Sequence, residues 1–186
     1  MSDEELMARV AAGDMASLGE LFERYRQSLY GFVSRVLPDR GLAEDVVVEA
    51  FVRVHEHRRT FRAQARFSTW LYTIAHHLAI DKLRRARRET ALLDDDPPPP
   101  ADGGDLAQVL GRRELARAVA AAVRALPPDQ RAVIVLREYQ GHSYAEIARI
   151  VGAREQAVRV RAHRARLALR RALAPYLDKD PLPSAP

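Results

Sequence analysis

The chain has 186 residues, of which 47% are hydrophobic and 30% charged, with a formal net charge of +5. This length allows one large domain or two small ones with apolar cores, and the absence of cysteine excludes disulfide bonds and thiolate metal sites. We expect a cytoplasmic protein without membrane insertion, because no apolar run is long enough to span a bilayer and no charged-then-apolar leader opens the sequence. Acidic and basic blocks alternate along the chain, which indicates separate surfaces for separate partners.

Three helices are predicted in the first 57 residues. Ser2 and Glu5 have the S-x-x-E spacing of a capping box and should open the first helix. Asp14 should cap the second, whose apolar residues recur at three- and four-residue steps as far as Val36. The third helix, from about residue 42 to 57, has an apolar face made of Val46, Val47, Ala50, Phe51 and Val54. Its charged faces suit a core helix with a solvated side, and they would also suit a protein partner.

The loop after the third helix is basic, and the segment FSTWLYTIAHHLAIDKLRRARR that follows combines a helical apolar stripe with aromatic and basic side chains. Ser68 is the candidate N-cap of this helix. Aromatic rings interleaved with arginines suit a site that stacks unpaired bases and holds a nucleic-acid backbone. The alternative is that Phe67 and Trp70 are core and the arginines form a solvated helix end. No metal site is expected at His76 and His77, because neighbours on a helix point about 100° apart.

The stretch from residue 90 to 110 contains DDDPPPPADGGD, which is acidic, rich in proline and almost without residues to bury. It is predicted to be an extended, disordered linker. Such a linker spans at most ~65–70 Å, about two turns of B-DNA. A helix rich in alanine and leucine should follow it, Pro127 and Pro128 should open the next helix, and the tail after Pro175 is predicted to be disordered.

Residues 126–171 have the pattern of a helix-turn-helix. Ser143 and Glu146 have capping-box spacing, and Gly152 follows the last apolar residue of that short helix, where positive φ is often needed. A second helix resumes just after it, with Val158 expected to face the first. This second helix is rich in arginine, which both neutralises phosphates and reaches base edges. Because spacing, capping and charge agree, binding of duplex DNA is favoured over a merely solvated basic face.

Five motifs, in their order and spacing, make the chain similar to a bacterial extracytoplasmic-function sigma factor of the sigma-70 family: AGDMASLGELFERY, AEDVVVEAFVRV, FSTWLYTIAHHLAIDKLRR, LPPDQRAVIVLRE and GHSYAEIARIVG. The similarity covers nearly all of residues 5–173. It implies an all-α fold of two small helical domains joined by a flexible acidic linker. The implied ranges are region 2 (1–89), the linker (90–110), region 4 with the helix-turn-helix (111–174) and the tail (175–186).

The resemblance also implies function. The chain would be an alternative sigma factor, not an enzyme, that binds the clamp and flap of core RNA polymerase and directs promoter recognition, melting and transcription initiation. Binding to core polymerase is implied for Asp45, Val48, Glu49, Val52 and Arg53. Contact with the single-stranded −10 element is implied for Phe61, Arg66, Phe67, Ser68, Trp70, His77, Lys82, Arg84 and Arg85. Binding to the duplex −35 element is implied for Arg154, Glu155, Gln156, Arg159, Arg161 and Arg164. An anti-sigma factor is an expected partner, and no cofactor or metal is implied.

The sequence departs from the family pattern at several of these positions. Val48 stands where the docking helix usually has glutamine, and His77 stands where asparagine is common. Arg154 and Gln156 replace a small capping residue and part of a Gly-Thr pair at the start of the recognition helix. The preferred bases of this chain therefore do not follow from the resemblance.

Two other classes of protein share some of these features. A helix-turn-helix regulator acting without polymerase would typically dimerise on a palindrome, yet the sequence contains no dimerisation heptads. A nucleic-acid hydrolase would need carboxylates in a fixed geometry, whereas the clustered acids Asp94 to Asp96 lie in the proline-rich linker. The sigma factor is the interpretation that accounts for both the basic segments and the linker.

Overall fold

A computed structural model of the chain describes residues 1–62, 66–90 and 107–177, where all regular structure is helical. The helices are α1 Asp3–Ala11, α2 Met15–Val36, α3 Arg40–Glu56, α4 Phe67–Thr90, α5 Ala107–Ala125, α6 Pro128–Ile134, α7 Tyr144–Val151 and α8 Glu155–Leu177, with a π-helical turn at Val135–Tyr139. The predicted all-α fold is confirmed. Most of the predicted linker and of the predicted tail lies outside the described residues.

Local hydrogen bonds begin the first two helices where the sequence predicts. The Ser2 hydroxyl accepts a hydrogen bond from the Glu5 N–H at 3.1 Å, and the Glu5 carboxylate accepts one from the Ser2 N–H at 2.7 Å. Asp14 accepts hydrogen bonds from the N–H groups of Ala16 and Ser17 at 3.0 and 3.3 Å. Such caps satisfy N–H groups that have no partner inside the helix, and each stabilises it by about 1 kcal/mol.

Helices α1 to α4 pack around apolar side chains. Those without exposed surface include Leu6, Met7, Leu21, Phe32, Val46, Val54, Phe67 and Leu71. The predicted apolar face of α3 is buried as expected, and Phe51 packs edge-on against Phe22 with ring centroids 5.0 Å apart. Each fully buried side chain of this size stabilises the fold by about 1.5–3 kcal/mol.

Helices α5 to α8 form a second group. Its buried side chains include Val133, Val135, Leu136, Ile147, Ile150, Val158 and Ala162. Pro128 occupies the first turn of α6, as predicted. The π-helical turn that continues α6 has no signal in the sequence. After this turn the chain folds back, and the His142 N–H donates to the Leu136 carbonyl at 3.1 Å.

The two groups of helices contact each other and share one apolar core. The hydroxyl of Tyr72, on α4, donates to the side-chain oxygen of Gln140 at 2.7 Å, and its ring packs edge-on against His142 at 4.8 Å between centroids. Arg131, on α6, donates to the Val36 carbonyl at 3.0 Å. Helix α4, a member of the first group, therefore also packs against the second.

The structure corrects two local predictions. Ser68 was expected to cap α4, but this helix already begins at Phe67, whose N–H donates to the Glu4 carboxylate at 3.1 Å. A residue distant in sequence thus takes the capping role. At the other end of the chain, α8 continues past Pro175 to Leu177, although a proline inside a helix removes one backbone hydrogen bond and its ring crowds the carbonyl four residues earlier.

Candidate nucleic-acid interface

Helices α7 and α8 form the predicted helix-turn-helix. The Ser143 hydroxyl accepts from the Glu146 N–H at 3.2 Å, and the Glu146 carboxylate accepts from the Ser143 N–H at 2.8 Å. This backbone N–H is the main cause of a pKa for Glu146 below its usual range. Gly152 ends α7 with φ of 64°, in the left-handed region that favours glycine. Val158 is fully buried, so the predicted cap, turn and packing of this unit are confirmed.

Helix α8 has one buried face and one exposed face. The buried face consists of Val158, Ala162 and Ala165. Helical spacing puts a different set on the opposite side, and all of its members are exposed: Gln156, Val160, His163 and Leu167. We call these four residues the outward strip. Of the residues implied for −35 binding, Gln156 lies on this strip, Arg159 and Arg164 are exposed on its two flanks, and Arg154 is exposed just before the helix begins.

Arg161 and Glu155 are placed differently from those four. The Arg161 side chain forms an ion pair with Asp129 of α6 at 3.2 Å and is only 33% exposed. Helical spacing puts Arg161 beside the buried face of α8 rather than on the outward strip. Glu155 accepts from Arg159, one turn later, with an Nη2–Oε1 distance of 2.6 Å. Arg161 is therefore paired with Asp129, and Glu155 with Arg159, within the protein itself.

Two further residues at this site, Glu138 and Tyr144, were not identified from the sequence. Arg166 donates to Glu138 at 2.6 Å and to the Tyr144 hydroxyl at 2.9 Å. The Tyr144 ring also lies against the guanidinium of Arg159, at 4.7 Å from the ring centroid. Only the four-residue spacing of Glu155 and Arg159 was visible in the sequence, because the other partners come from separate helices.

A second candidate surface lies along α4. Helical spacing puts four of the residues implied for −10 contact in one stripe: Arg66, Trp70, His77 and Arg84. Arg66, just before the helix, is 77% exposed and forms an ion pair with Glu146 at 3.2 Å. His77 and Arg84 are exposed, and Trp70 is half-buried.

The aromatic side chains near this stripe form one cluster. Phe67 has no exposed surface, and its ring packs edge-on against Phe61 at 6.1 Å and Trp70 at 6.3 Å between centroids. Phe61 and Trp70 are half-buried and 5.2 Å apart. Phe67 is therefore core, whereas Phe61 and Trp70 retain exposed surface. Contact of these two rings with a base stays a prediction.

The other residues implied for −10 contact lie off the stripe. Lys82 is directed to α3, with its Nζ 3.8 Å from the Glu49 carboxylate. Ser68 is half-buried on another side of α4, and Arg85 is exposed. The residues implied for −10 contact therefore fall into two sets, those in the stripe along α4 and those that lie off it.

A third surface is apolar and lies between α2 and α3. Val48 and Val52 are apolar, yet they are 57% and 48% exposed. They are one helical turn apart and therefore lie on the same side of α3. They line a groove with Met15, Leu18, Gly19, Phe22, Phe51 and His55. Asp45 and Arg53 are exposed beside it, and Glu49 is half-buried. The contribution of Met15 and Leu18 was not identified from the sequence, because it depends on how α2 packs on α3.

Two histidines are buried where α4 meets the second group of helices. Burial lowers the pKa of His76 to about 4, with smaller contributions from the charges of His77 and Arg161. Burial also lowers the pKa of His142, although the nearby carboxylate of Glu146 opposes this shift. In the described part of the chain, no three histidine or acidic side chains are grouped so that they could hold a metal ion. No helix among the described residues is both long and apolar enough to cross a membrane.

Comparison with known proteins gives a consistent result. The family model for sigma-70 region 2 matches residues 21–89, and that for sigma-70 region 4 matches residues 116–169. The chain is 36% identical over 177 residues to the ECF RNA polymerase sigma factor SigM of Mycobacterium tuberculosis, which covers 95% of this chain and 87% of that protein. It is 34% identical over 188 residues to the ECF RNA polymerase sigma-E factor of Escherichia coli, with 96% and 98% covered.

The fold is also similar to a solved structure. A chain from the structure of CnrH in complex with the cytosolic domain of CnrY superposes with a TM-score of 0.69 at 28% sequence identity. The superposition covers 97% of this chain and 99% of that one. The likeness thus extends over both groups of helices.

Proposed function

This chain belongs to the extracytoplasmic-function sigma factors of the sigma-70 family, and from that premise we propose how its surfaces act in transcription. It is an alternative sigma factor that binds core RNA polymerase and directs promoter recognition, melting and initiation. The observation that carries this conclusion is that both sigma regions occur in one chain, in family order, with a relative 36% identical over 95% of its length.

We propose that α7 and α8 bind the −35 element as duplex DNA. The major groove admits an α-helix, and the outward strip of α8 is the face free to enter it. Gln156, Arg159 and Arg164 would contact DNA from this face or its edges, and Arg154 would contact it from the start of the helix. Glu155 would position Arg159, and Arg161 would hold α8 against α6 through Asp129. The exposure of the first four and the ion pairs of the other two support this division.

For the −10 element, we propose that the α4 stripe contacts the unpaired strand. Trp70 and Phe61 would stack on bases, since base–aromatic stacking is worth about 1–3 kcal/mol per base, and Phe67 would support both rings from the core. Arg66 and Arg84 would hold the strand backbone, and His77 would lie beside the base. Lys82, Ser68 and Arg85 would act at the margins of the stripe.

We propose that the apolar groove with Val48 and Val52 docks on the clamp of core polymerase. Exposed apolar side chains grouped in one place commonly mark a protein interface. Asp45, Glu49 and Arg53 would form its charged rim, where complementary charges set the orientation of the partner. The flap would contact region 4.

The remaining proposals concern organisation and partners. We propose region 2 at residues 1–89, the linker at 90–110, region 4 from residue 111 and the tail at the C-terminal end, with α8 extending region 4 to Leu177. An anti-sigma factor is a proposed partner, supported by the fold that this chain shares with the sigma factor RpoE of Bartonella quintana, solved in complex with the anti-sigma factor NepR. We propose that the protein acts in the cytoplasm and has no catalytic activity of its own.

The two groups of helices touch in the structure, so binding two DNA elements about two helical turns apart would require them to separate. The cysteine-free chain allows one dye on an engineered exposed cysteine in each region. The distance between the dyes should increase when core polymerase is added. An unchanged distance in the bound state would contradict this separation.

The function is tested by run-off transcription of fragmented genomic DNA, with core polymerase alone and with core polymerase plus the full chain. Discrete new transcripts are expected, and the sequences upstream of their starts would give both promoter elements. Co-elution of the chain with core polymerase is measured in parallel. Failure to co-elute would refute the sigma assignment and favour a DNA-binding regulator that acts without polymerase.

A further inference from the structure

Tyr144, the first residue of α7, contacts three arginines. Two guanidinium groups lie over its ring, with their carbons 4.9 Å (Arg137) and 4.7 Å (Arg159) from the ring centroid. Its hydroxyl accepts a hydrogen bond from Arg166 at 2.9 Å. Contacts of this kind are worth roughly 0.5–1 kcal/mol each at exposed sites, so their sum is enough to favour one rotamer of each arginine.

Acidic residues also bind two of these arginines, Arg159 and Arg166. Arg159 donates to Glu155 from Nε at 3.1 Å and from Nη2 at 2.6 Å. Arg166 donates in the same two-pronged way to Glu138 at 3.2 and 2.6 Å. The side chains of Arg159 and Arg166 nevertheless remain 59% and 47% exposed. Both are thus restrained on two sides while retaining a surface for a ligand.

Their position on α8 indicates the kind of ligand. Arg159 and Arg166 are seven residues apart, which puts them on one side of α8 about 10 Å apart along its axis. That side flanks the outward strip rather than coinciding with it. When a helix lies in the major groove, flanking side chains meet the phosphates that border the groove, and contacts to phosphates fix register and orientation.

We propose that Tyr144 is a positioning residue that holds Arg159 and Arg166 ready as a fixed pair of phosphate contacts. The proposal rests on the assignment of α8 as the −35 recognition helix. Restraining the arginines before binding reduces the conformational entropy lost on binding, which is about 0.5–1.5 kcal/mol for each long side chain. Base recognition then falls to the outward strip.

The experiment measures the affinity of the full chain for a fluorescent 24-bp duplex of arbitrary sequence as a function of KCl concentration. Three variants are compared with the unsubstituted chain. Tyr144→Phe removes the hydroxyl that Arg166 contacts and keeps the ring, whereas Tyr144→Leu removes both kinds of contact. Tyr176→Leu is the control, because it makes the same change at an exposed tyrosine near the far end of α8.

Each phosphate contact contributes about −0.9 to the slope of log K against log [salt]. Tyr144→Leu should therefore reduce the magnitude of the slope by about 1–2, and Tyr144→Phe should reduce it by less. Tyr176→Leu should leave the slope unchanged. Urea unfolding of each variant shows whether it folds. If Tyr144→Leu does not fold, the milder Tyr144→Phe still tests the role of the hydroxyl.

The outcomes separate the proposal from its premise. A Tyr144→Leu variant that is less stable but has an unchanged salt slope would show a purely structural tyrosine and overturn the proposal. If the unsubstituted chain does not bind the duplex at low salt, the assignment of α8 as a DNA-binding helix fails, and the positioning role fails with it.

Discussion

Acidification should destabilise the folded chain through His76. This side chain is 8% exposed, and its Nδ1 is buried without a hydrogen-bond partner. Burial, assisted by the charges of His77 and Arg161, lowers its pKa to about 4 in the folded state, whereas an unfolded histidine has a pKa of about 6.5. Between these two values the unfolded chain binds more protons than the folded one, so the free energy of unfolding falls as the pH falls.

The size of the effect follows from these two pKa values. Lowering the pH from 7.5 to 5.5 should reduce the free energy of unfolding by ~1.3 kcal/mol from His76 alone. His142 acts in the same direction, because burial lowers its pKa as well. Both histidines lie where α4 meets the second group of helices. The lost stability would therefore be that of the contact between α4 and this second group.

The assay is urea unfolding at pH 7.5 and 5.5 of the unsubstituted chain, of His76→Gln and of a control, His163→Gln, whose side chain is exposed on α8. The His76→Gln variant should lose most of the ~1.3 kcal/mol difference between the two pH values. The control should retain it. An equal pH dependence in the unsubstituted chain and His76→Gln would refute the reasoning, whatever the absolute stabilities.

Three further predictions assign separate roles to separate surfaces. Val48→Asp should weaken binding to core polymerase at least tenfold in a pull-down titration and spare duplex binding, whereas Val160→Asp, the same change on α8, should do the reverse. Arg159→Ala should weaken duplex binding and reduce the salt slope by about 0.9. Arg161→Ala, which removes an equal charge, should leave the slope unchanged and cost about 0.5–1 kcal/mol of stability. Trp70→Ala should spare duplex binding and reduce open promoter complexes, measured by permanganate footprinting.

Each of these comparisons has a result that contradicts it. Equal loss of polymerase binding in both valine variants would show that the α3 groove has no special role. If Arg161→Ala reduced the salt dependence of duplex binding as much as Arg159→Ala does, Arg161 would have to be counted among the residues that contact DNA. Normal open complexes with Trp70→Ala would remove the proposed stacking role of α4.

Features that depend on a few neighbouring residues were predictable. The capping box of Ser143 and Glu146 and the cap by Asp14 each join groups within one helical turn. Positive φ at Gly152 follows from the absence of a Cβ atom. Helical periodicity likewise identified the buried face of α3, because one face of an amphipathic helix must be covered.

The roles of chemically similar neighbours were not predictable in the same way. Phe67 and Trp70 are three residues apart and equally apolar, yet only Phe67 is fully buried. Arg159 and Arg161 differ in the same manner, since one flanks the outward strip and the other bonds to Asp129. Helical spacing gives the angle between two side chains around the helix axis. The packing of the other helices decides which of the two side chains faces the core.

The sequence by itself therefore determined the helices, the local caps at Ser2, Asp14 and Ser143, the recognition turn and the family, since these depend on hydrogen bonds and apolar periods within short segments. The tertiary structure alone decided which groups meet across the chain. Glu4 caps α4, the Tyr144 hydroxyl accepts a hydrogen bond from Arg166, and the Tyr72 hydroxyl donates one to Gln140. These contacts depend on packing angles between helices, to which many side chains contribute at once, so no single stretch of sequence encodes them.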